Sequence, residues 1–190
     1  VISPRGVAVA SNGDIYIADG FNNRIRKISK IDGKISTMSG TAAAGYSGDG
    51  GPATNAQLNL PNDIAVDTLG NIYIAAFNNN VIRKINASGY ISTFAGIGQS
   101  GYSGDGGPAI NAALAHPTGI AVDSSNNLYI ADNENHRIRK VNSSGVISTF
   151  VGNGNGDFGG DGGPAINAMI KNPQDIAFDN QGNMLIADYN

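Results

Sequence analysis

The sequence predicts an all-β fold, and within that class a β-propeller built of four-stranded antiparallel blades. The chain of 190 residues is 41% apolar but only 14% charged, and it contains 27 glycines, a composition that favours many short strands joined by turns. Segments of about 56 residues repeat along the chain, each holding four short β-branched or apolar runs separated by turn residues. Four antiparallel strands at a fixed period are typical of a propeller blade.

The repeat is defined by residues that recur at a constant interval. Pro61, Pro117 and Pro173 stand 56 residues apart, and Pro4 precedes Pro61 by 57. We therefore expect complete blades at about residues 4–60, 61–116 and 117–172, with residues 173–190 supplying the first two strands of a fourth. One twisted sheet cannot cover both of its faces, so neighbouring blades are expected to cover each other.

The second unit shows how each blade is predicted to run. Its four strands are expected at "DIAV" (63–66), "IYIAA" (72–76), "VIRKI" (81–85) and "YISTFAG" (90–96), with turns of Gly, Asn, Asp and Ser between them. A connector of about 20 residues leads to the next unit. Its segment "GPATNAQL" (51–58) predicts one or two turns of helix, because Pro suits a first helical position.

The most strongly repeated segment is the connector itself. It reads "YSGDGGPA" at 46–53 and 102–109 and "FGGDGGPA" at 158–165. A phosphate loop would need Lys followed by Ser or Thr after its glycines, and a calcium loop needs carboxylates at alternate positions. We expect a structural connector anchored by its aromatic residue, whose Asp accepts backbone N–H groups near the helix start. Calcium stays the alternative for these acids, Asp49, Asp105 and Asp161.

Composition excludes several classes of function. The net charge of −3 gives no reason to expect nucleic acid as a partner. The absence of Cys excludes thiolate catalysis, Cys-ligated zinc and disulfides. No apolar run approaches the roughly 18 residues needed to cross a bilayer, so membrane insertion is not expected. No cofactor is predicted.

Charged residues in the turn between the second and third strands vary together. The first blade has Asp19 and Arg24, the third has Asp132 and Arg137, and the second has Ala76 and Val81 in their places. A half-buried charge without a partner is costly, so the loss of one favours the loss of both. We therefore predict structural ion pairs between Asp19 and Arg24 and between Asp132 and Arg137.

The two histidines interrupt the repeat. His116 precedes Pro117 and His136 lies in the turn after the second strand, both toward the face that carries the connectors, which we call the top face. A zinc site needs about three ligands, and Asp132 or Glu134 could be invoked as the third, but both histidines belong to one blade region. Metal or acid–base chemistry at His116 and His136 is therefore only an alternative.

The positions directly after each repeating proline differ from blade to blade. They begin the innermost strands and should surround the mouth of the central channel on the top face. Polar residues that vary while the frame is constant are candidates for ligand binding. The predicted ring is Arg5, Asn62, Asp63, Thr118, Gln174 and Asp175.

Two sequons occupy equivalent turns on the opposite face. Asn86-Ala-Ser88 and Asn142-Ser-Ser144 both fit the acceptor pattern for N-glycosylation, although Asn and Ser are also ordinary turn residues. In a secreted eukaryotic protein, both would be expected to carry sugar.

The segment "GIAVDSSNNLYIADNENHRIRKVNSSGVISTFVG" (119–152) resembles the NHL repeat, and the GDGGPA connectors look like those of bacterial surface proteins and teneurins. The resemblance covers almost the whole chain. It implies a propeller, commonly of six blades, of which this chain would provide about 3.5, the rest coming from missing parts of the same chain. NHL propellers include protein-binding modules, RNA readers and a peptide-amidating lyase, so the resemblance leaves function open.

Two functions are therefore expected. The first is a non-enzymatic binding or adhesion module of a larger extracellular or cell-surface protein, with a protein or glycan ligand on the top face. The second is a metal-assisted lyase or lactonase-like hydrolase with its site at the central channel. An RNA-binding propeller is disfavoured, because the 12 Lys and Arg residues are scattered among turns and strands.

Overall fold

The protein forms antiparallel sheets that follow one another along the chain. A computed structural model describes residues 1 and 3–189, and in this part of the chain fourteen strands form three four-stranded sheets and one two-stranded sheet. In each sheet, consecutive strands are hydrogen-bonded neighbours, so every sheet is a simple meander. The strands are β1 (Val7–Val9), β2 (Ile15–Asp19), β3 (Arg24–Ile28), β4 (Ile35–Ser39), β5 (Pro61–Val66), β6 (Ile72–Ala76), β7 (Val81–Ile85), β8 (Ile91–Ala95), β9 (Pro117–Val122), β10 (Leu128–Asp132), β11 (Arg137–Val141), β12 (Ile147–Val151), β13 (Asp175–Phe178) and β14 (Met184–Ala187).

Each connector contains one short turn of helix, where one or two turns were predicted. Each has a single 3₁₀ turn, at Ala53–Asn55, Ala109–Asn111 and Ala165–Asn167. The turn stops at once because the following alanine is extended, as at Ala56 (φ −75°, ψ 155°). No helix among the described residues is long and apolar enough to cross a membrane.

A second set of 3₁₀ turns joins the second and third strands of the complete sheets. These turns, at Gly20–Asn22, Phe77–Asn79 and Asn133–Asn135, each end at a residue in the left-handed conformation. That residue is Asn23, Asn80 or His136, with φ between 51° and 55°. Asn tolerates this conformation well, and the histidine takes the same backbone shape.

The hydrophobic core lies between successive sheets, and the connector is part of it. Between the second and third sheets, Ile82 and Ile130 come from the facing strands, while Ala112 and Leu114 of the connector lie among them. Leu58 of the preceding connector is likewise fully buried between the first and second sheets. Burial of one such leucine contributes about 2–3 kcal/mol, so each connector joins two sheets through a shared core.

The first strands of successive sheets lie side by side: β5 contacts β1 and β9, and β9 contacts β13. Close approach requires glycine at two places. A Cβ added to Gly6 would overlap the side chain and Cα of Asp63, and one added to Gly119 would lie 2.5 Å from Cα of Asp175. This closeness positions the residues at the start of all four inner strands around one opening.

Candidate functional site

An open cavity of about 410 Å³ lies where the four inner strands meet. Each of the four sheets contributes to its lining, with Gly6 and Gly119 forming the floor between polar side chains. Five of the six side chains predicted for the channel mouth line this single cavity: Arg5, Asn62, Asp63, Gln174 and Asp175.

Thr118 is the sixth predicted mouth residue, and the structure places it elsewhere. Its side chain is only 3% exposed, and its hydroxyl donates to the carbonyl oxygen of Pro173 at 2.8 Å. A buried hydroxyl needs a hydrogen-bond partner, and the next sheet supplies one. Thr118 therefore joins the third and fourth sheets, and the expectation that it faces a ligand is corrected.

Arg5 and Asn62 form a polar pair across the junction of the first two sheets. The Nη1 atom of Arg5 donates to Oδ1 of Asn62 at 2.7 Å, and its guanidinium lies 5.5 Å from the ring centre of Phe21. Both Arg5 and Phe21 are exposed to solvent. A guanidinium held at an aromatic face, with donors still free to reach outward, is suited to bind an anionic or carbonyl-rich group.

Asp63 is the most perturbed acid at the mouth. Burial raises the pKa of Asp63 to about 7, and the negative charge of Asp175 adds to that effect, while the N–H groups of Ile64 and Ile120 oppose it. The bond from the N–H of Ile120 to Oδ2 of Asp63 is 2.8 Å long. The carboxyl of the second sheet therefore bridges to the third, and it changes protonation state near neutral pH.

Asp175 occupies the equivalent position in the two-stranded sheet and is exposed. Its Oδ1 accepts the N–H of Ile176 at 2.8 Å. Along the four inner strands this position alternates between glycine and aspartate, in the order Gly6, Asp63, Gly119, Asp175. The small residue makes room for the neighbouring strand, and the acid of the next sheet fills the space above it.

The acids of the first two connectors hold an arginine of the following sheet. Oδ1 of Asp49 lies 2.5 Å from Nη2 of Arg83, and Oδ1 of Asp105 lies 2.5 Å from Nη2 of Arg139. Both guanidiniums are fully buried. The other oxygen of each acid accepts the N–H and hydroxyl of a threonine on the fourth strand, Thr93 or Thr149.

These contacts give the connector acids a structural role that differs in detail from the prediction. The N–H groups they accept come from the fourth strand of the next sheet and not from the helix start, because the connector runs across that sheet. Burial acts to raise the pKa of Asp105, but hydrogen bonds from Thr149 and the charge of Arg139 outweigh it and hold that pKa below its usual value. Asp161, the third connector acid, is exposed.

The predicted turn ion pairs are corrected by two residues along the third strand. Asp132 is paired with Arg139 at 3.1 Å, and Asp19 lies 3.9 Å from Arg26. Asp132 and Arg137 do face each other in register, but Arg137 donates to the carbonyl oxygens of Asn135 and Asn153. The diagonal arginine, two residues further along the strand, reaches the buried carboxylate because its side chain is long.

The buried arginines are the feature that sequence reasoning missed. Arg83 and Arg139 lie on the third strands of their blades and were not among the predicted ion pairs. The available signal was their constant separation from the connector acids, which is 34 residues in both copies. A constant spacing between opposite charges indicates an ion pair, and these two pairs join the connector to the sheet.

The histidines take part in contacts between blades. Nδ1 of His136 accepts the N–H of Asn172 at 3.1 Å, just as Oδ1 of Asn80 accepts the N–H of His116 at 2.9 Å. His136 therefore accepts the same backbone hydrogen bond in the third blade that Asn80 accepts in the second. The ring of His116 lies 4.6 Å from that of Phe77, and its Nδ1 is 2.8 Å from a carboxylate oxygen of Glu134. Among residues 1 and 3–189, no three His, Cys, Asp or Glu side chains are grouped as metal ligands would be.

The two sequons lie in the hairpin turns between the third and fourth strands, and the preceding connectors reach these turns: the N–H of Ala53 donates to the carbonyl oxygen of Gly89, and that of Ala109 to Gly145. Oδ1 of Asn86 accepts the N–H groups of Ser88 and Tyr90, and Oδ1 of Asn142 accepts those of Ser144 and Val146, each at 3.0 Å. Asn86 is exposed and Asn142 is partly exposed. Their glycosylation remains a prediction.

Comparison with known families shows to which family this chain belongs. The model of the teneurin NHL domain matches residues 42–102 and 97–158, and that of the NHL repeat matches residues 2–28. The chain belongs to the NHL-repeat family. The NHL propeller predicted from the repeated residues is thereby confirmed, together with its four-stranded antiparallel blades.

Relatives of this NHL chain are long proteins of which it matches a part. It is 31% identical to Teneurin-1 of Gallus gallus over 211 residues, which is 98% of this chain and 8% of the relative. It is 30% identical to NHL repeat-containing protein 2 of Homo sapiens over 217 residues, 98% of this chain and 30% of the relative. The NHL chain therefore spans less than a third of either curated relative.

Solved structures share the fold. A protein of unknown function from Bacteroides thetaiotaomicron superposes with a TM-score of 0.76 at 23% identity, covering 97% of the NHL chain and 44% of that chain. The virginiamycin B lyase of Staphylococcus aureus gives a TM-score of 0.60 at 20% identity, covering 98% and 49%. At these identities the likeness concerns the fold alone, and in each case the NHL chain corresponds to about half of the solved chain.

Proposed function

We propose that this NHL chain is a non-enzymatic binding or adhesion module of a larger extracellular or cell-surface protein, and that its ligand binds at the channel mouth on the top face. The observation that supports this most strongly is one open cavity that Arg5, Asn62, Asp63, Gln174 and Asp175 line together. The residue directly after the repeating proline differs in each sheet, as with Arg5, Asn62 and Gln174, so the frame does not dictate it, and polar groups that the frame does not need are available to a ligand.

The chemistry of the mouth fits a protein loop or a glycan. Arg5 offers donors for a carboxylate or carbonyl oxygen, and exposed Phe21 beside it offers an apolar face. Exposed Gln174 and Asp175, on the fourth sheet, accept hydrogen bonds from hydroxyl, amide or ammonium groups. A ligand that spans the cavity would therefore place donors toward the fourth sheet and acceptors toward the first.

Two further observations favour the surface of a cell as the setting. The teneurin NHL domain model matches most of the second and third blades. Two sequons are accessible on the face opposite the mouth, where sugar would leave the ligand site open. With a net charge of −3, the chain has no overall attraction for nucleic acid.

Binding can be tested with the labelled, tetramerised chain on a glycan array and on intact mammalian cells. We expect saturable binding that falls at least tenfold in a variant with Arg5→Ala and Gln174→Ala. The matched control is Asn86→Gln on the opposite face, which should bind like the parent. Equal binding by the parent and the mouth variant, with both folded, would place the ligand elsewhere on the propeller.

A second candidate is the lyase or lactonase-like hydrolase, with its site at the same channel. It is favoured by Asp63, since a carboxyl with a pKa of about 7 can both donate and accept a proton at neutral pH. The virginiamycin B lyase shares the fold. Incubation with a streptogramin B and with simple lactones, with and without Mg²⁺, tests this. Turnover that Asp63→Asn abolishes would favour the enzyme over the binding module.

A further inference from the structure

A second cavity, of about 420 Å³, lies between the second and third blades. The second blade lines it with residues of its first turn and of β6, β7 and β8, and the third blade with residues of its first and third turns. Both blades have all four strands, so this interblade cavity belongs to a complete junction of the propeller. It shares no lining residue with the cavity at the channel mouth.

Lys84 supplies the positive charge of the interblade cavity. Its Nζ lies 5.3 Å from the ring centre of Tyr73 and 5.6 Å from that of Phe94. The lysine is partly exposed, and within residues 1 and 3–189 it forms no ion pair with an acid. The two rings hold the ammonium in place by its favourable interaction with their faces, and its N–H donors are left for a ligand.

The first blade shows what the missing acid would do. Lys27 stands at the position of Lys84, since each pairs with the tyrosine of the second strand, and its Nζ lies 2.7 Å from Oδ2 of Asp14. Asp14 directly precedes the second strand, and Asn71 takes that place in the second blade. An amide carries no charge, so the ion pair that occupies the lysine of the first blade is absent from the second.

Asp67 also lines the interblade cavity, but its oxygens are occupied. Oδ1 accepts the N–H groups of Leu69 and Asn71 at 3.0 and 2.8 Å. Oδ2 accepts the amide of Asn71 at 2.7 Å and the hydroxyl of Tyr73 at 3.2 Å. The residue is buried. A buried carboxylate with four donors is satisfied by its own turn and strand, so it does not compete with a ligand for Lys84.

The third blade lines the cavity with hydrogen-bond donors. Oδ1 of Asn126 accepts the N–H and the hydroxyl of Thr68, and Oδ1 of Asn142 accepts two N–H groups of its own turn. Backbone N–H groups thereby fix which amide atom is the oxygen, and the atom left to a ligand in each case is the donor Nδ2. Three exposed hydroxyls stand beside them, those of Ser125, Ser143 and Ser144.

We propose that the interblade cavity binds a carboxylated sugar unit, with its carboxylate at the ammonium of Lys84 and its ring and hydroxyl oxygens at the donors of the third blade. Donors grouped around one cation require a ligand that is anionic and rich in acceptors. Oδ1 of Asn71, whose Nδ2 is used by Asp67, accepts a hydroxyl proton. Leu69 is 71% exposed and offers an apolar surface to the C–H groups of a sugar ring.

A phosphate or sulfate ion fits the interblade cavity less well. Such ions are usually held by several cations, by the planar fork of arginine or by a nest of backbone N–H groups. This cavity has one lysine, and its remaining donors are amide and hydroxyl groups spread over two turns of the third blade. The single cation suits a single carboxylate, and the spread of donors suits the hydroxyls of a sugar.

The test is a titration of the full, ¹⁵N-labelled chain with methyl β-glucuronide, followed through the backbone amide signals. The chain is produced in bacteria, because a sugar attached to Asn142 would enter the cavity. Saturable shifts are expected at residues 124–126 and 143–145. Methyl β-glucoside, which has the same ring without the carboxylate, should bind at least fivefold more weakly.

Variants identify the contact. Lys84→Gln removes the charge and should weaken glucuronide binding at least fivefold. The matched control is Lys140→Gln: Lys140 has the same place in the third blade, 5.3 Å from the ring centre of Tyr129, but does not line this cavity. It should bind like the parent. Arg5→Ala should also leave these shifts unchanged, which separates the interblade cavity from the channel mouth.

A second variant leaves Lys84 in place and supplies its missing partner. Asp67→Ala together with Asn71→Asp copies Ala10 and Asp14 of the first blade and should abolish binding. Thermal denaturation verifies that each variant is folded. The proposal would be overturned by the absence of saturable shifts, by equal affinity for glucuronide and glucoside, or by binding that Lys84→Gln does not weaken. Displacement of the glucuronide by an equal concentration of inorganic phosphate would overturn it too, since the cavity would then select charge alone.

Discussion

The connectors repeat the same contacts from blade to blade, whereas the channel mouth makes different contacts in each blade. In the two connectors that lead to a complete blade, the same residues make the same contacts: Asp49 and Asp105 each hold a buried arginine and a threonine of the next sheet. At the mouth, equivalent positions make different contacts, as with exposed Arg5 and buried Thr118. Residues that recur maintain the frame, and residues that differ are free to determine what the propeller binds.

The comparison also separates two uses of aspartate. Hydrogen bonds and an arginine hold the pKa of Asp105 low despite its partial burial, so this acid stays charged over the physiological range. Burial lifts the pKa of Asp63 to about 7, so this acid is partly protonated there. The connector acid Asp105 therefore stays ionised, whereas Asp63 at the mouth changes its protonation state near neutral pH.

The largest expected effect comes from Arg139. Substitution to Met would leave Asp132 buried without its cation, and removing one partner of a buried pair costs about 3–5 kcal/mol. Arg83→Met should cost less, because its partner Asp49 has a side chain 48% exposed and position 76 is Ala. Urea denaturation of both variants measures the difference.

A second substitution isolates the cause. Adding Asp132→Ala to Arg139→Met removes the buried carboxylate that has lost its cation and should restore part of the lost stability. The prediction would be contradicted if the Arg139 and Arg83 variants lost equal free energy of unfolding and the double variant recovered none. The buried carboxylate of Asp132 would then not be the cause of the larger loss in the third blade.

The next effect concerns the packing of the inner strands. In Gly119→Ala, the new methyl group would lie 2.5 Å from Cα of Asp175, a backbone atom that cannot move alone. Overpacking of this kind costs about 1–3 kcal/mol. Gly107→Ala in the connector is the control, since its added Cβ would meet its nearest neighbour at 3.4 Å. If thermal denaturation shows equal midpoints for the two variants, the inner strands are less tightly packed than the structure indicates.

The third effect is a pH dependence at Asp63. Its folded pKa of about 7 lies above the ordinary value of 3.8, so the folded chain binds the proton more tightly than the unfolded one. The contribution of Asp63 to stability is therefore complete below about pH 4 and is lost as the pH rises toward 7, by up to about 1.4 kcal/mol per pH unit.

Asp63→Asn removes this titration. The variant should gain stability relative to the parent as the pH rises from 4 to 7, and the gain should be constant above that. Asp175→Asn, in the same cavity, should retain most of the slope, because burial is the main cause of the raised pKa of Asp63 and the charge of Asp175 a smaller one. The measurement is the urea midpoint of each protein from pH 4 to 8. If the midpoints of the parent and of Asp63→Asn change with pH in parallel, the raised pKa of Asp63 is contradicted.

Periodicity in the sequence was sufficient to predict the blades, because strands and turns depend on local alternation and on Gly, Asn and Pro. The mouth cavity was also predictable in outline, since Pro61 and its equivalents mark the starts of the inner strands. The side-chain partners were not. Arg137 and Arg139 lie on the same strand face, and only the path of the connector decides which of them meets Asp132. Thr118 was misplaced because its partner, the carbonyl of Pro173, is an element of the next sheet.

The smallest effect tests what anchors the connectors. The ring of Tyr102 lies 3.9 Å from the guanidinium carbon of Arg137 and 4.8 Å from that of Arg139, while its hydroxyl is 2.9 Å from both Thr149 and Asp105. Tyr102→Phe keeps the ring and should cost about 1 kcal/mol, the usual contribution of one hydrogen bond.

Tyr102→Ala removes the ring as well and should cost more, because the stacked guanidiniums lose their aromatic partner. Thermal denaturation of the two variants separates the contributions. The third connector has Phe158 at this position, which indicates that the ring is the shared anchor and the hydroxyl an addition. Equal losses for Phe and Ala at position 102 would reverse that order, and the connector at Phe158 would then have to be held chiefly by its acid, Asp161.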